Sequence, residues 1–109
     1  MSKGNGPRLE KDIQLQILKY LRAIGATAGK TKTMGVKRGR SFCFDPYTFR
    51  GFPDVVAFYK NRLYFIEVKS DTGTQSYDQI IFQKLAEDAG QVYILARSVE
   101  DLTTALKEA

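Results

Sequence analysis

The chain has 109 residues, of which 43% are hydrophobic, and it carries a formal net charge of +5 with one cysteine and no histidine. This composition excludes an intramolecular disulfide, zinc sites built from cysteines or from cysteine and histidine, and Ser-His or Cys-His catalysis. A single domain with one core is expected, and any metal site would use carboxylates and carbonyls, which favours Mg²⁺ or Mn²⁺. The basic charge suits an anionic partner, nucleic acid first, but charge alone does not distinguish this from a protein that is merely basic.

The N-terminal residues 1–7 are polar and contain two glycines and a proline, so we expect a mobile tail ahead of a single domain that spans residues 8–109. No apolar stretch follows the basic residues of this tail, which argues against a signal peptide. No apolar run elsewhere is long enough to cross a bilayer, so the interpretation is a cytoplasmic protein without a membrane partner.

Apolar residues recur at helical spacing between about Arg8 and Ile24 and predict a first helix that ends before Gly25. Glu10 lies in the first turn of this helix, beside the apolar stripe. Taken alone, it is best interpreted as an acid that interacts favourably with the helix dipole.

The next segment, residues 27–51, is strongly basic and contains a single acid, Asp45. Residues 40–44 resemble a short strand, the rest is interpreted as loop, and Cys43 is interpreted as a small buried hydrophobe. Positive charge on a loop suits contacts to DNA phosphates, although a solvated basic loop is the common alternative. The residues predicted to bind nucleic acid are Lys30, Lys32, Lys37, Arg38, Arg40 and Arg50.

The remaining elements predict an α/β fold. The segments "DVVAFY" and "RLYFIEVK" are rich in β-branched and aromatic residues and predict two strands joined by Lys60-Asn61. A helix from about Tyr77 to Ala89 follows, opened by a possible capping box of Ser76 and Gln79, with an apolar face that includes Ile81, Phe82, Leu85 and Ala89. "QVYILA" predicts a buried strand, and Ser98 caps a last helix. The predicted order is α-β-β-β-α-β-α, with helices flanking a mixed β-sheet.

The hairpin has a consequence for the charged residues at its open end. If Lys60-Asn61 is a two-residue loop, Tyr59 pairs with Arg62, and continuing the register places Asp54 opposite Glu67. Glu67 and Lys69 then share one face of the sheet, while Val68 points away. Opposed carboxylates repel each other, so either a proton or a cation must lie between them. The alternatives are a structural lysine–carboxylate pair and a three-residue loop, which would shift the register by one.

The residues Gly51-Phe52-Pro53-Asp54 followed by Glu67-Val68-Lys69 resemble the PD-(D/E)xK nuclease signature. "RGFPD", "FIEVKS" and "SYDQ" before a helix are most similar to the virus-type replication-repair nuclease domain, VRR-NUC. The resemblance covers nearly the whole chain from about Arg8. It implies a restriction-endonuclease-like core and Mg²⁺- or Mn²⁺-dependent hydrolysis of DNA phosphodiester bonds, in a bacterial cell or a phage-infected host.

The resemblance also implies roles for individual residues. Asp54, Glu67 and the carbonyl of Val68 would be metal ligands, and Glu10 would complete or support the metal site. Lys69 would be the catalytic lysine. Gln79 matches a glutamine expected near the active site, in competition or in combination with its capping role, and Gln83 is the second choice for that position.

Short stand-alone domains of this family are similar to Holliday-junction resolvases, which implies a homodimer acting on branched or four-way-junction DNA. A two-fold dimer would supply the two sites that two symmetric cuts require. The alternatives are another nuclease of the same superfamily, of the flap or restriction-like kind, and a DNA-binding module without catalysis.

Overall fold

The structure, a computed structural model, describes residues 9–31 and 46–109. The predicted fold class is confirmed: helices flank a four-stranded mixed sheet. The predicted tail, the predicted strand at residues 40–44 and Cys43 lie outside the described residues. In chain order the elements are α1 (Glu10–Ala23), β1 (Thr27–Lys30), β2 (Val55–Tyr59), β3 (Arg62–Val68), α2 (Tyr77–Asp88), β4 (Val92–Ala96) and α3 (Val99–Glu108).

The strands lie in the order β1-β2-β3-β4, with the first two pairings antiparallel and the β3–β4 pairing parallel. The interpretation of residues 27–30 as loop was wrong, because these residues form β1 and pair with β2 from Thr27↔Phe58 to Lys30↔Val55. The local sequence "TAGK" has weak strand propensity. It becomes a strand because it completes the backbone hydrogen bonds of β2, which is a tertiary effect.

The two-residue loop between β2 and β3 is confirmed. Lys60 and Asn61 both have positive φ, 50° and 65°, as a type I′ hairpin turn requires. Pairing runs from Tyr59↔Arg62 to Val55↔Ile66. The next position outward in the same register places Asp54 opposite Glu67, at the open end of the hairpin.

The helices cover the two faces of the sheet differently. On one face, α1 and α3 pack against the sheet and form a large hydrophobic core, in which Ile17, Leu21 and Leu102 are fully buried. On the other face, α2 contributes Phe82 and Ala86 to a smaller cluster with Tyr93, flanked by Phe52 and Phe65.

The prediction for the apolar face of α2 was wrong in part. Phe82 is buried as expected, but Ile81 and Leu85 are 40% and 57% exposed. Ala89 is exposed as well. The buried stripe runs through Phe82 and Ala86 instead, because these two residues face Tyr93 of the sheet.

In the part of the chain that the structure describes, no helix combines the length and the apolar character needed to cross a bilayer.

Candidate active site

Three carboxylates converge at the open end of the β2–β3 hairpin. One oxygen each from Glu10, Asp54 and Glu67 lies within 4.8 Å of the other two. Asp54 directly precedes β2, Glu67 lies near the end of β3, and Glu10 is the first residue of α1. The tertiary fold therefore brings together the three acids that the sequence singled out, including Glu10, which no local pattern connects to the hairpin.

Glu67 is the most deeply buried of the three, with 1% of its surface exposed. Burying a carboxylate is costly unless it is hydrogen-bonded and near a positive charge. Nε2 of Gln79 donates a hydrogen bond of 2.7 Å to Oε2 of Glu67, and Nζ of Lys69 lies 4.0 Å from the same oxygen. These two contacts hold Glu67 in one orientation and leave its charge close to a largely buried ammonium group.

The backbone of β3 orients the second acid. The N–H of Val68 donates a hydrogen bond of 3.1 Å to Oδ2 of Asp54. The side chain of Val68 is fully buried in the core on the far face, so Glu67 and Lys69 share the face opposite to it, as the strand alternation predicts. The carbonyl of Val68 stays a predicted ligand.

The side chain of Gln79 forms the predicted capping box and also contacts Glu67. Its Oε1 accepts from the backbone N–H of Ser76 at 2.8 Å, and the Ser76 hydroxyl accepts from the Gln79 N–H at 3.2 Å, which completes a capping box. Its Nε2 is then directed at Glu67. The second choice, Gln83, instead bonds Gln75 and Glu87.

The segment that carries Asp54 is held from two sides. The N–H of Thr31 donates to the Asp54 carbonyl at 2.9 Å, and its hydroxyl donates to the Pro53 carbonyl. On the other side Gly51, with φ +71°, packs against the first turn of α2, where an added Cβ would lie 2.3 Å from the Asp78 carbonyl oxygen. Thr31 and Gly51 therefore position Asp54 relative to Gln79.

Arg97 holds the loop that follows Lys69, a role that sequence analysis missed. Its Nη1 donates to the carbonyls of Ser70 and Gly73 at 2.7 and 2.6 Å. Arg97 reaches this loop because β3 and β4 are parallel, so that residues after β4 lie beside residues after β3. The sequence shows an arginine directly after a buried strand, but it does not show that β3 is the neighbour of that strand.

A tyrosine beneath the site shows the effect of this environment. Burial, followed by the nearby charge of Glu67, raises the pKa of Tyr93 to about 12. The Tyr93 hydroxyl also receives a hydrogen bond of 3.2 Å from Gln75. Tyr93 is therefore a neutral group at physiological pH and adds no charge next to Glu67.

The predicted DNA-binding residues are only partly visible. Lys30 is exposed at the end of β1, and Arg50 has a 60% exposed side chain whose Nε lies 3.5 Å from Oδ2 of Asp78. Both belong to segments that lead to Asp54, through Thr31 and through Gly51. Lys32, Lys37, Arg38 and Arg40 lie outside the described residues.

The donor set fits a hard divalent cation. Two oxygens bound to one Mg²⁺ are at most about 4.2 Å apart, because each metal–oxygen distance is about 2.1 Å. Oxygens within 4.8 Å of one another reach that arrangement through small rotations, which the exposed Glu10 can make. A cation among them would also offset the repulsion between the carboxylates.

Comparison with known proteins adds no relative to this picture. The sequence matches no model of a known protein family, and a search of curated proteins finds no match.

The two roles of Gln79 are separable by mutation. Both Ser76→Ala and Gln79→Ala break the capping box, so each is expected to lower the free energy of unfolding by about 1 kcal/mol in a urea titration. Gln79→Ala also removes a hydrogen bond to buried Glu67, and we expect a further loss of about 1–3 kcal/mol. Equal losses in the two variants would show that the contact to Glu67 contributes nothing.

Proposed function

We propose that this protein is a metal-dependent, structure-selective DNA endonuclease that hydrolyses phosphodiester bonds, similar to Holliday-junction resolvases and of the VRR-NUC type. One observation carries the proposal: oxygens of Glu10, Asp54 and Glu67 converge within 4.8 Å, with Nζ of Lys69 4.0 Å from Glu67. A structural ion pair needs one acid and one base. Here three acids lie beside one lysine, and without a cation the acids repel one another. Metal binding explains this arrangement better than a structural ion pair does.

In the proposed mechanism, one or two Mg²⁺ or Mn²⁺ ions would be held by Asp54, Glu67 and the Val68 carbonyl, and Glu10 would complete or support this site. Such ions supply Lewis acidity, which activates water and offsets charge on the phosphate and on the leaving oxygen. Lys69 orients the attacking water or stabilises the negative charge that develops on the phosphate. Gln79 is a positioning residue, since its contact is to the side chain of Glu67.

The basic residues have a separate task in this proposal. Lys30 and Arg50 are exposed on the two segments that support Asp54, and together with Lys32, Lys37, Arg38 and Arg40 they would grip the DNA backbone. Contacts to the DNA backbone do not distinguish one base sequence from another, so we expect the protein to select its substrate by the shape of the DNA. A homodimer would present two such sites to a four-way junction.

The decisive experiment compares cleavage of a four-way junction, a flap and a linear duplex of matched sequence with Mg²⁺, with Mn²⁺ and with a chelator. We expect metal-dependent cleavage, fastest on the junction as paired symmetric cuts, and none with the chelator. Preference for the flap or the linear duplex would replace the resolvase assignment with another nuclease of this kind. Salt-dependent junction binding without cleavage in either metal would identify a binding module instead.

A further inference from the structure

A shallow groove of about 360 Å³ lies between α2 and residues 48–50. Its lining includes Phe49, Arg50, Tyr77 and Ile81. The side chains at its rim are unusually open for large apolar groups: Tyr77 is 76% exposed and Phe49 is 66% exposed. Clustered exposure of large apolar residues marks a contact surface more often than chance.

The groove is built on the same two segments as the carboxylate cluster. Tyr77 and Gln79 both lie in the first turn of α2, on different sides of the helix because two residues advance it by about 200°, and Gln79 bonds Glu67. Gly51, between groove-lining Arg50 and the Asp54 segment, packs directly on the Asp78 backbone. DNA that places a phosphate at the cluster would therefore pass close to the groove.

The chemistry of the groove suits a nucleobase. Its exposed rings, Tyr77 and Phe49, carry no charge, and Arg50 lies beside them in the lining. Exposed aromatic faces and an arginine plane are the groups on which bases stack.

We propose that this groove binds an unpaired or end-exposed nucleobase of the DNA substrate, with Tyr77 as the principal stacking residue. The inference rests on the proposed function and extends it to the kind of DNA selected. Within a continuous duplex both faces of every base are already covered by neighbours, so the groove gains nothing. At a branch point, a flap or an end, one base face is open, and stacking on Tyr77 favours that DNA over linear duplex.

The test compares the parent protein with Tyr77→Leu, which keeps apolar bulk without a ring, and Tyr77→Phe, which keeps the ring. Phe58→Leu is a matched control, because Phe58 is 58% exposed next to the hairpin turn, at the end of β2 away from Asp54. Binding is measured with Ca²⁺ on a flapped DNA that carries 2-aminopurine at the unpaired position and on the matching linear duplex. Anisotropy reports affinity, and quenching of the 2-aminopurine reports stacking.

We expect Tyr77→Leu to weaken binding of the flapped DNA by about 5- to 100-fold and to abolish the quenching, with duplex binding within twofold of the parent. Tyr77→Phe and Phe58→Leu should behave as the parent. Unchanged affinity and quenching in Tyr77→Leu would overturn the inference while leaving the nuclease proposal intact. Equal weakening on both DNAs, together with a shift from dimer to monomer in size-exclusion chromatography, would also overturn it and identify the groove as a contact between copies. No DNA binding or cleavage by the parent would sink both proposals.

Discussion

Lys69→Ala is expected to slow cleavage of branched DNA by about 10²–10⁴-fold, because it removes the ammonium group next to Glu67. Asp54→Asn is expected to cause a loss of at least similar size. It preserves the shape of the side chain and an oxygen that can accept from the Val68 N–H, but it removes the charge that a divalent cation requires. Single-turnover cleavage with saturating enzyme measures both effects without interference from product release.

Lys84→Ala is the matched control for the loss of a lysine. Nζ of Lys84 lies 3.3 Å from Oδ2 of Asp88 in an exposed ion pair, and removal of this lysine should leave cleavage unchanged. Thermal unfolding of all variants shows whether a loss of activity reflects a loss of fold. If folded Lys69→Ala and Asp54→Asn proteins cut as fast as the parent, the roles assigned to these residues are wrong.

Gly51→Ala is expected to lower the free energy of unfolding by about 2–5 kcal/mol and to reduce cleavage as well. The left-handed backbone at φ +71° costs an alanine about 1–2 kcal/mol. The added Cβ would also meet backbone atoms, 2.3 Å from the Asp78 carbonyl oxygen and 2.6 Å from the Gln79 nitrogen. Relief of that overlap requires the Asp54 segment and the start of α2 to separate, which costs about 1–3 kcal/mol more and displaces Gln79 from Glu67.

Gly90→Ala isolates the backbone part of this effect. Gly90 has φ +83°, but an added Cβ there would have no atom within 4 Å. Urea titration should therefore show a loss of about 1–2 kcal/mol for Gly90→Ala and a distinctly larger one for Gly51→Ala. Equal losses would mean that the contact between Gly51 and α2 does not constrain the site.

The hairpin and its register were predictable because both depend on short-range chemistry. Strand alternation and a two-residue loop containing Asn61 were enough to place Asp54 opposite Glu67, and the structure has that loop. The capping box of Ser76 and Gln79 was predictable for the same reason, since its partners are three residues apart. The direction of the Gln79 amide toward Glu67 was only one of two options, because it depends on where α2 packs.

The features that the sequence predicted wrongly depend instead on contacts between distant parts of the chain. Thr27–Lys30 is a strand because β2 offers it hydrogen-bond partners, and its own four residues give no strong pattern. Ile81 and Leu85 look like core residues by period, yet they are exposed because the side of α2 that meets the sheet carries Phe82 and Ala86. Periodicity identifies an apolar stripe, but the packing of the helix on the sheet decides which part of it is buried.

The sequence by itself indicated the α/β class, the hairpin with its two-residue loop, and the register that places Asp54 opposite Glu67. It could do so because hydrogen bonds and side-chain direction within a strand or a helical turn repeat with a known period. The tertiary structure decided that Glu10 lies beside Asp54 and Glu67, as the resemblance had implied but no local pattern had. It also decided that Arg97 and Thr31 support the site and that Tyr77 is left exposed. Each of these depends on how separate elements pack, and packing is set by the whole core rather than by any one segment.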